Sequence, residues 1–506
     1  MGNAVRYGYT KDGLLSKKSD AEGNGTSYTY DNTGNLIKTE YADGSVEEVT
    51  YTPLGQLSIV KTADGETAYL YDDGGNLVCV QESDGSTVRY TYDGYGNITS
   101  ITYPDGKKAS YSYDSMNRLV KVKGADGKKT TYTYDALGQV ISRDSKNEDT
   151  VYSYDEVGNI ISVSSSGKVD IEFAYEYDNS GRITKEVRTE NDVRTENSYI
   201  YDALGQLTSW NDESYTYDAV GNMLEKVSDG VKTKYTYDAA NRLLSDGTED
   251  YSYDKNGNLV SKGDVSYTYN ALNLLESYAD GDYTESYSYN AQGLLKTVTT
   301  PDETTTLVWD ILNGDGEVLT ATVNGEVTDY TYGLERISAV TGRVRTEYVY
   351  DARGSVAAEV TGTIFKISIT DKAYSPFGEL LTEGVSGFGY NGEYYSAETE
   401  QIYLRARFYA PEVGRFTQKD ILKGNTLTPL SLNRYLYCEN DPVNFIDPSG
   451  MTLRSAISKT VNKITSTAKN AVNAVKNNPV QAVKSAAKAV ANAVTHPVQT
   501  IINAVD

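Results

Sequence analysis

A tyrosine-aspartate pair followed by a glycine turn returns at Tyr30, Tyr71, Tyr92, Tyr113, Tyr134, Tyr154, Tyr177, Tyr201, Tyr217, Tyr237 and Tyr253, as in YDNTGNL, YDDGGNL and YDEVGNI. Looser copies begin at Tyr51 (YTPLGQL), Tyr269 (YNALNLL) and Tyr289 (YNAQGLL). Steps between neighbours are mostly 20 or 21 residues, with shorter steps of 16 late in the series. A fixed period of this size denotes one supersecondary unit used many times, not a string of unrelated domains.

Each unit reads as β. The residues before the aspartate alternate, as in TSYTYD and TTYTYD, which is the period of a strand with two unlike faces. Aspartate stands where a type I turn favours it, with glycine three residues later. In YDSMNRL, YDAANRL and YNALNLL that glycine gives way to Asn117, Asn241 and Asn273. Asparagine is the side chain that best tolerates a left-handed backbone, so the slot is expected to need positive φ. Between these turns lie ADGS, SDGS, PDGK and ADGK, whose Asp-Gly pairs suit tight hairpins. One repeat is therefore two antiparallel strands and two turns, and the predicted fold class is mainly β.

Composition narrows the function. There are 46 Tyr against 7 Phe, a choice that suits half-buried strands whose ring packs while its hydroxyl reaches water or a partner. The net charge of −24 repels phosphate backbones and argues against nucleic-acid binding by the repeat body. The single histidine, His496, lies near the C-terminus, which removes Ser-His-Asp triads, Cys-His dyads and histidine-ligated zinc from the body. Cys79 and Cys438 lie far apart without metal-like spacing, so there is no disulfide framework. Each Tyr-Asp turn offers one carboxylate where calcium takes about six to eight oxygens, and no metal or cofactor is expected. No run is long and apolar enough to span a bilayer. The opening MGNAVRYGYT lacks the features of a secretory signal, so export is expected by another route, or the chain is cut from something longer.

After Tyr332 the period breaks. YTYGLERIS, YVYDARGSV and YSPFGELL still read as strand-turn pieces. Then come GYNGEYYSAETEQIYLRARFYAPEVGRFTQKD and LNRYLYCENDPVNFIDPSG. This ordered pair resembles the RHS-associated core domain, and the repeats before it resemble the YD repeats of the RHS (rearrangement hot spot) family, over roughly residues 5–450. The resemblance implies a spiral antiparallel sheet closing into a hollow shell. It divides the chain into a YD array at 1–330, a core domain with an autoprotease motif at 331–451 and a tail at 452–506. It further implies an RHS-type polymorphic toxin, bacterial and secreted or surface-borne. The core domain would seal the shell and cut the chain as an intramolecular aspartyl-type protease just after the DPxG motif.

Carried over residue by residue, Asp420 (GRFTQKD) and Asp447 (FIDPSG) match the acidic positions and Arg407 (LRARFY) the basic one. Gly450, Met451 and Thr452 form the cleavage segment, with the scissile bond after Met451. Met451 stands where the family more often has Leu, and Ala410 where Asp is commoner. Asp441 in NDPVN is an alternative second carboxylate. The chemistry is coherent. Without histidine, thiol or metal, peptide hydrolysis needs two carboxyl groups sharing a proton, one activating water and the other donating to the carbonyl oxygen or the leaving nitrogen. A neighbouring Arg can lower the pKa of one carboxylate or stabilise the developing oxyanion. Read without the resemblance, Asp447-Pro448-Ser449-Gly450 is also simply a good turn.

From Thr452 the composition changes. Seven Lys and Arg stand against Asp506 alone, so the tail carries +6 and the remainder −30. Val480, Val483, Ala487, Val490 and Val494 recur at helical spacing, and Asn478-Pro479 is a good helix start. A short α-helical tail is expected, serving as a linker preceding a toxin, as membrane-active amphipathic cargo, or as an inactive remnant. The partners expected are this C-terminal segment enclosed in the shell, a secretion or delivery machine and a cognate immunity protein. The rival reading is a cell-surface adhesin or carbohydrate-binding repeat protein, with outward tyrosines as stacking platforms and no cleavage; a shell carrying no toxin is the other.

Overall fold

The computed structural model describes residues 5–363, 366–382 and 386–456; the helices expected in the tail lie outside the described residues. Regular structure is almost entirely strand. The exceptions among the described residues are the 3-10 segments Tyr390–Gly392, Pro429–Leu432 and Cys438–Asn440.

Through most of the array each strand pairs antiparallel with the next in sequence; the ladder is interrupted between Val231–Lys234 and Thr236–Tyr237 and again after Leu243–Ser245. Gly25–Tyr30 pairs with Leu36–Glu40, and Leu36–Glu40 with Val46–Tyr51. At the Tyr-Asp turn, Asp31 N donates to Asn35 O (2.9 Å) and Gly34 N to Asp31 O (3.1 Å). Gly34 lies at φ +87, and the register shifts between Thr29 and Tyr30. This is a type I turn closed by a left-handed residue and a bulge. Asn117, Asn241 and Asn273 sit in the same slot at φ 59, 62 and 61, as their substitution for glycine predicts. The ADGS, SDGS, PDGK and ADGK turns adopt the same three-residue form: at ADGS, Tyr41 N donates to Ser45 O and Gly44 N to Tyr41 O. Only the glycine then needs positive φ. Two-residue turns, with both residues left-handed, come later at Asp229-Gly230 and Asn324-Gly325.

The aspartate organises its turn. Asp31 Oδ1 accepts the N–H groups of Thr33 (2.8 Å) and Asn35 (2.9 Å), and Oδ2 accepts Asn35 Nδ2 (3.0 Å). Where Arg follows the turn, as at Arg118, its Nε takes the amide's place on Oδ2 (2.7 Å) and its guanidinium lies over the Tyr134 ring of the next repeat. The tyrosine hydroxyl has an equally regular duty. Tyr30 donates to Leu15 O (2.8 Å), Tyr51 to Leu36 O (2.8 Å), Tyr92 to Leu77 O (2.6 Å) and Tyr134 to Leu119 O (2.6 Å). Each acceptor opens a strand one hairpin earlier, so phenylalanine would leave that carbonyl without its partner. The tyrosine two positions before, such as Tyr28, Tyr69, Tyr90 or Tyr132, lies on the same face of the alternation and is buried, with an exposed residue between the two. Exposed tyrosines among the described residues are Tyr7, Tyr9 and Tyr95.

The chain forms two compact units, one of residues 5–108 with Ser252–Val318, the other of Ala109–Tyr251 with residues 319–456. In the first, buried Tyr90 donates to Asp310 Oδ1 (2.9 Å) and Trp309 Nε1 to Leu295 O (2.7 Å). In the second, buried Arg143 pairs with Glu335 and donates to Tyr348 O (3.2 Å). This unit also contains a five-stranded sheet, Gly387–Phe388, Tyr394–Ser396, Gln401–Leu404, Arg407–Ala410 and Arg415–Phe416. Tyr390, Ile402, Leu404, Tyr409, Phe416, Tyr437 and Cys438 make its core, with Tyr409 and Tyr437 stacked at 4.1 Å. Cys79 and Cys438 are buried free thiols.

The two classes of carboxyl predict how stability follows pH. The hydroxyl of Thr33 and the amide of Asn35 hold Asp31 below the ordinary carboxylate range, and Asn76 does the same for Asp72. Burial pushes Glu47, Glu148 and Asp441 up to about 7. The raised groups bind a proton in the fold before the unfolded chain does, so their cost grows from about pH 4 to 7 and fades on acidification. The lowered groups contribute stability above about pH 4 and lose it as pH falls through their folded values. Thermal unfolding across pH 2–8 should therefore give a maximum Tm near pH 5. A Tm rising steadily to pH 8 would contradict this reading of the buried carboxyls.

Candidate active site

The strand Gln401–Leu404 reverses through Arg405 and Ala406 into Arg407–Ala410, with Leu404 opposite Arg407. Arg407 is buried, and its guanidinium lies over the Phe416 ring, 3.5 Å from the centroid. Downstream of that ring, Asp420 is fixed by its own N–H, which donates to Arg434 O (3.0 Å). Arg407 Nη1 donates to the same carbonyl (3.0 Å). Its Nη2 meets Asp420 Oδ2 at 2.7 Å and Asp447 Oδ2 at 3.7 Å. One guanidinium thus faces two carboxylates, while its Nε donates to Gly450 O.

Asp447 opens a loop. Phe445–Ile446 pairs with Arg454–Ser455, and the intervening residues fold back on the aspartate. Asp447 Oδ1 accepts Met451 N (3.0 Å), Thr452 N (2.9 Å) and Ser449 Oγ (3.1 Å). Gly450 is at φ +67, and a Cβ there would collide with Leu404 O and crowd Arg407 N. Glycine is thus required where the cleavage segment passes over the Leu404–Arg407 turn. Arg405, paired with Glu393, donates to Pro448 O (3.2 Å), and Ala406 N donates to Ser449 O (3.2 Å).

Burial raises Asp420 above the ordinary carboxylate range, against the opposing charge of Arg407. Burial likewise lowers Arg407, against the opposing pull of Asp420 and Asp447. Two carboxyl groups therefore share one buried guanidinium, an arrangement that paired acid-base work can use.

The residues singled out from the sequence meet here: Arg407, Asp420 and Asp447 with Gly450, Met451 and Thr452. Asp441 has other work, since its Oδ1 accepts Asn444 Nδ2 (2.7 Å) and N (3.3 Å) within its own turn. Sequence reasoning missed Ser449, Arg405, Phe416 and the Arg434 carbonyl. Arg405 lies in the turn itself at φ 56, where strand alternation gives no guide, and Phe416 and the Arg434 carbonyl carry no sequence signal of their role. Among the described residues no cluster of His, Cys, Asp or Glu is placed to hold a metal ion.

Comparison with known proteins gives the family. The Teneurin YD-shell family model matches residues 47–182 and 175–443, and the RHS repeat model residues 2–46. The tRNA3(Ser)-specific nuclease WapA of Bacillus spizizenii is 28% identical over 284 residues, 54% of this chain but 11% of that protein. The crystal structure of TcdB2-TccC3-TEV, 17% identical, superposes with a TM-score of 0.70 over 88% of this chain and 27% of that one. A TcdB2-TccC3 structure without its hypervariable C-terminal region, 16% identical, gives 0.59 over 88% and 28%. The chain thus spans a small part of the relatives it matches, and the structural likeness establishes the fold. Repeats, bulged turns and comparison agree: the chain belongs to the Teneurin YD-shell family and is an RHS/YD-repeat protein.

Proposed function

We propose that this chain is part of an RHS-type toxin shell that encloses its own C-terminal segment and releases it by hydrolysing the bond after Met451. The observation that carries the reading is the 2.9 Å approach of Asp447 Oδ1 to Thr452 N, the nitrogen that must leave. Asp447 takes a proton from water as the hydroxide adds to the Met451 carbonyl carbon. Protonated Asp420 donates toward the carbonyl oxygen. On collapse the C–N bond breaks, Asp447 gives its proton to Thr452 N, and the proton on the former carbonyl oxygen returns to Asp420, leaving a carboxylic acid on Met451 and an amine on Thr452, which end in water as carboxylate and ammonium. Arg407 holds both carboxylates at one point charge and anchors the segment through Gly450 O, so the reaction in cis starts from a prepositioned peptide.

The relatives support the wider setting. WapA is named a tRNA nuclease, and one TcdB2-TccC3 crystal structure is of a protein without its hypervariable C-terminal region. In this reading the acidic body retains a basic cargo, the protein is secreted or displayed, a delivery machine and an immunity protein are its partners, and it serves competition between bacteria. Among the described residues no helix is long and apolar enough to cross a membrane. Buried tyrosines outnumber exposed ones, which gives the carbohydrate-binding alternative no support. The test is the intact mass of freshly made protein under denaturing conditions. Two fragments meeting between Met451 and Thr452 are expected; a single full-length mass would overturn the protease reading.

A further inference from the structure

The resemblance leaves the third position of the DPxG motif open, and the charge pattern does not mark it. In this chain it is Ser449, and it is buried. We propose that Ser449 is a positioning residue of the self-cleavage site, holding the Asp447 carboxylate and the next two amides in one array. The inference rests on the self-cleavage reading above.

The geometry leaves the hydroxyl little freedom. Ser449 Oγ lies 3.1 Å from Asp447 Oδ1, 3.2 Å from Met451 N and 3.2 Å from Thr452 N. It also lies 3.2 Å from Thr452 Oγ1. A serine hydroxyl has one hydrogen and two lone pairs. The amides can only donate, so their hydrogens point at serine lone pairs, and an ionised carboxylate can only accept, so the serine hydrogen points at Asp447. Each amide is therefore shared between Asp447 Oδ1 and Ser449 Oγ, two acceptors that would repel one another without the O–H bond joining them. The backbone of this residue is pinned on both sides, Pro448 O by Arg405 and Ser449 O by Ala406 N.

Two consequences follow for the reaction. The donated hydrogen fixes the orientation of the Asp447 carboxylate that is to accept the proton of water. The shared amides keep Thr452 N against Asp447 Oδ1 until the bond breaks. Ser449 itself forms no bond to the reacting atoms.

The experiment is a rate measurement on full-length chain made by cell-free pulse labelling, then transferred to buffers from pH 4 to 9, with cleavage followed by mass. Ser449→Ala should slow cleavage about tenfold or more at the wild-type optimum, the size of a lost hydrogen bond to a charged group. Ser449→Thr, which keeps the hydroxyl, should restore most of the rate. A Ser449→Ala chain that cuts at the wild-type rate, or a Ser449→Thr chain as slow as Ser449→Ala, overturns the assignment while leaving self-cleavage standing. A wild-type chain that never cuts overturns the underlying reading and this inference with it.

Discussion

A chain carrying Asp447→Asn should stay in one piece under conditions where the wild type is cut to completion. Asparagine keeps the size of the side chain, and its oxygen can still accept Met451 N and Thr452 N, so the loop should remain folded. What it cannot do is take a proton from water and return it to the leaving nitrogen. Loss of a placed acid-base group costs roughly 10²–10⁴-fold, enough to leave only the full-length mass within an hour-long chase. Asp420→Asn should behave alike if its carboxyl, raised by burial, is the proton source for the carbonyl oxygen, as the proposed mechanism has it. Arg407→Lys should also fail. A single ammonium cannot meet Asp420, Arg434 O and Gly450 O together, whereas the guanidinium fork does. If Asp447→Asn were cut as fast as the wild type, the residue would be a turn-former only.

Tyr437→Ala should be the most damaging single change away from the carboxylates. Tyr437 is buried, stacked on Tyr409 at 4.1 Å and packed edge-on against Phe416 at 5.9 Å. Its hydroxyl accepts Asn391 Nδ2 (2.9 Å). Truncating a buried aromatic costs roughly 3–5 kcal/mol, to be read from urea unfolding of the purified variant. Cleavage should fall as well, because Phe416 is the surface on which the Arg407 guanidinium rests. Tyr437→Phe keeps the packing and loses one hydrogen bond, about 1 kcal/mol. A Tyr437→Ala chain within about 1 kcal/mol of wild type, far below that range, would show that the sheet core does not depend on this stack.

Much of the fold was legible because its constraints are local. Asn117, Asn241 and Asn273 gave away the left-handed slot, since few other residues accept that φ. The hairpin alternation was legible for the same reason. The target of the tyrosine hydroxyl was not, because Leu15 O belongs to the preceding hairpin and a carbonyl leaves no mark in a sequence. Nor was the choice between two- and three-residue turns, since an Asp-Gly pair serves both, with one left-handed residue at Gly44 and two at Asp229-Gly230. At the site, Arg407, Asp420 and Asp447 were marked only by resemblance. Carboxylates are plentiful in this chain, and nothing in their spacing says that one guanidinium gathers these two. Asp441 sits nearer Asp447 in sequence, yet Asn444 claims it.

The joint made by each repeat tyrosine has a consequence for how such a chain changes length over generations. Tyr30, Tyr51, Tyr92 and Tyr134 all reach 15 residues back to the same kind of carbonyl. A recombination event between two such points removes or adds a whole hairpin and recreates the joint it broke. Bonds of the Arg118 kind reach forward from one turn to the next, and they too are restored by any in-phase crossover. Gene segments encoding these hairpins are therefore interchangeable parts, and slippage in steps of one repeat should be tolerated where a single-residue insertion is not.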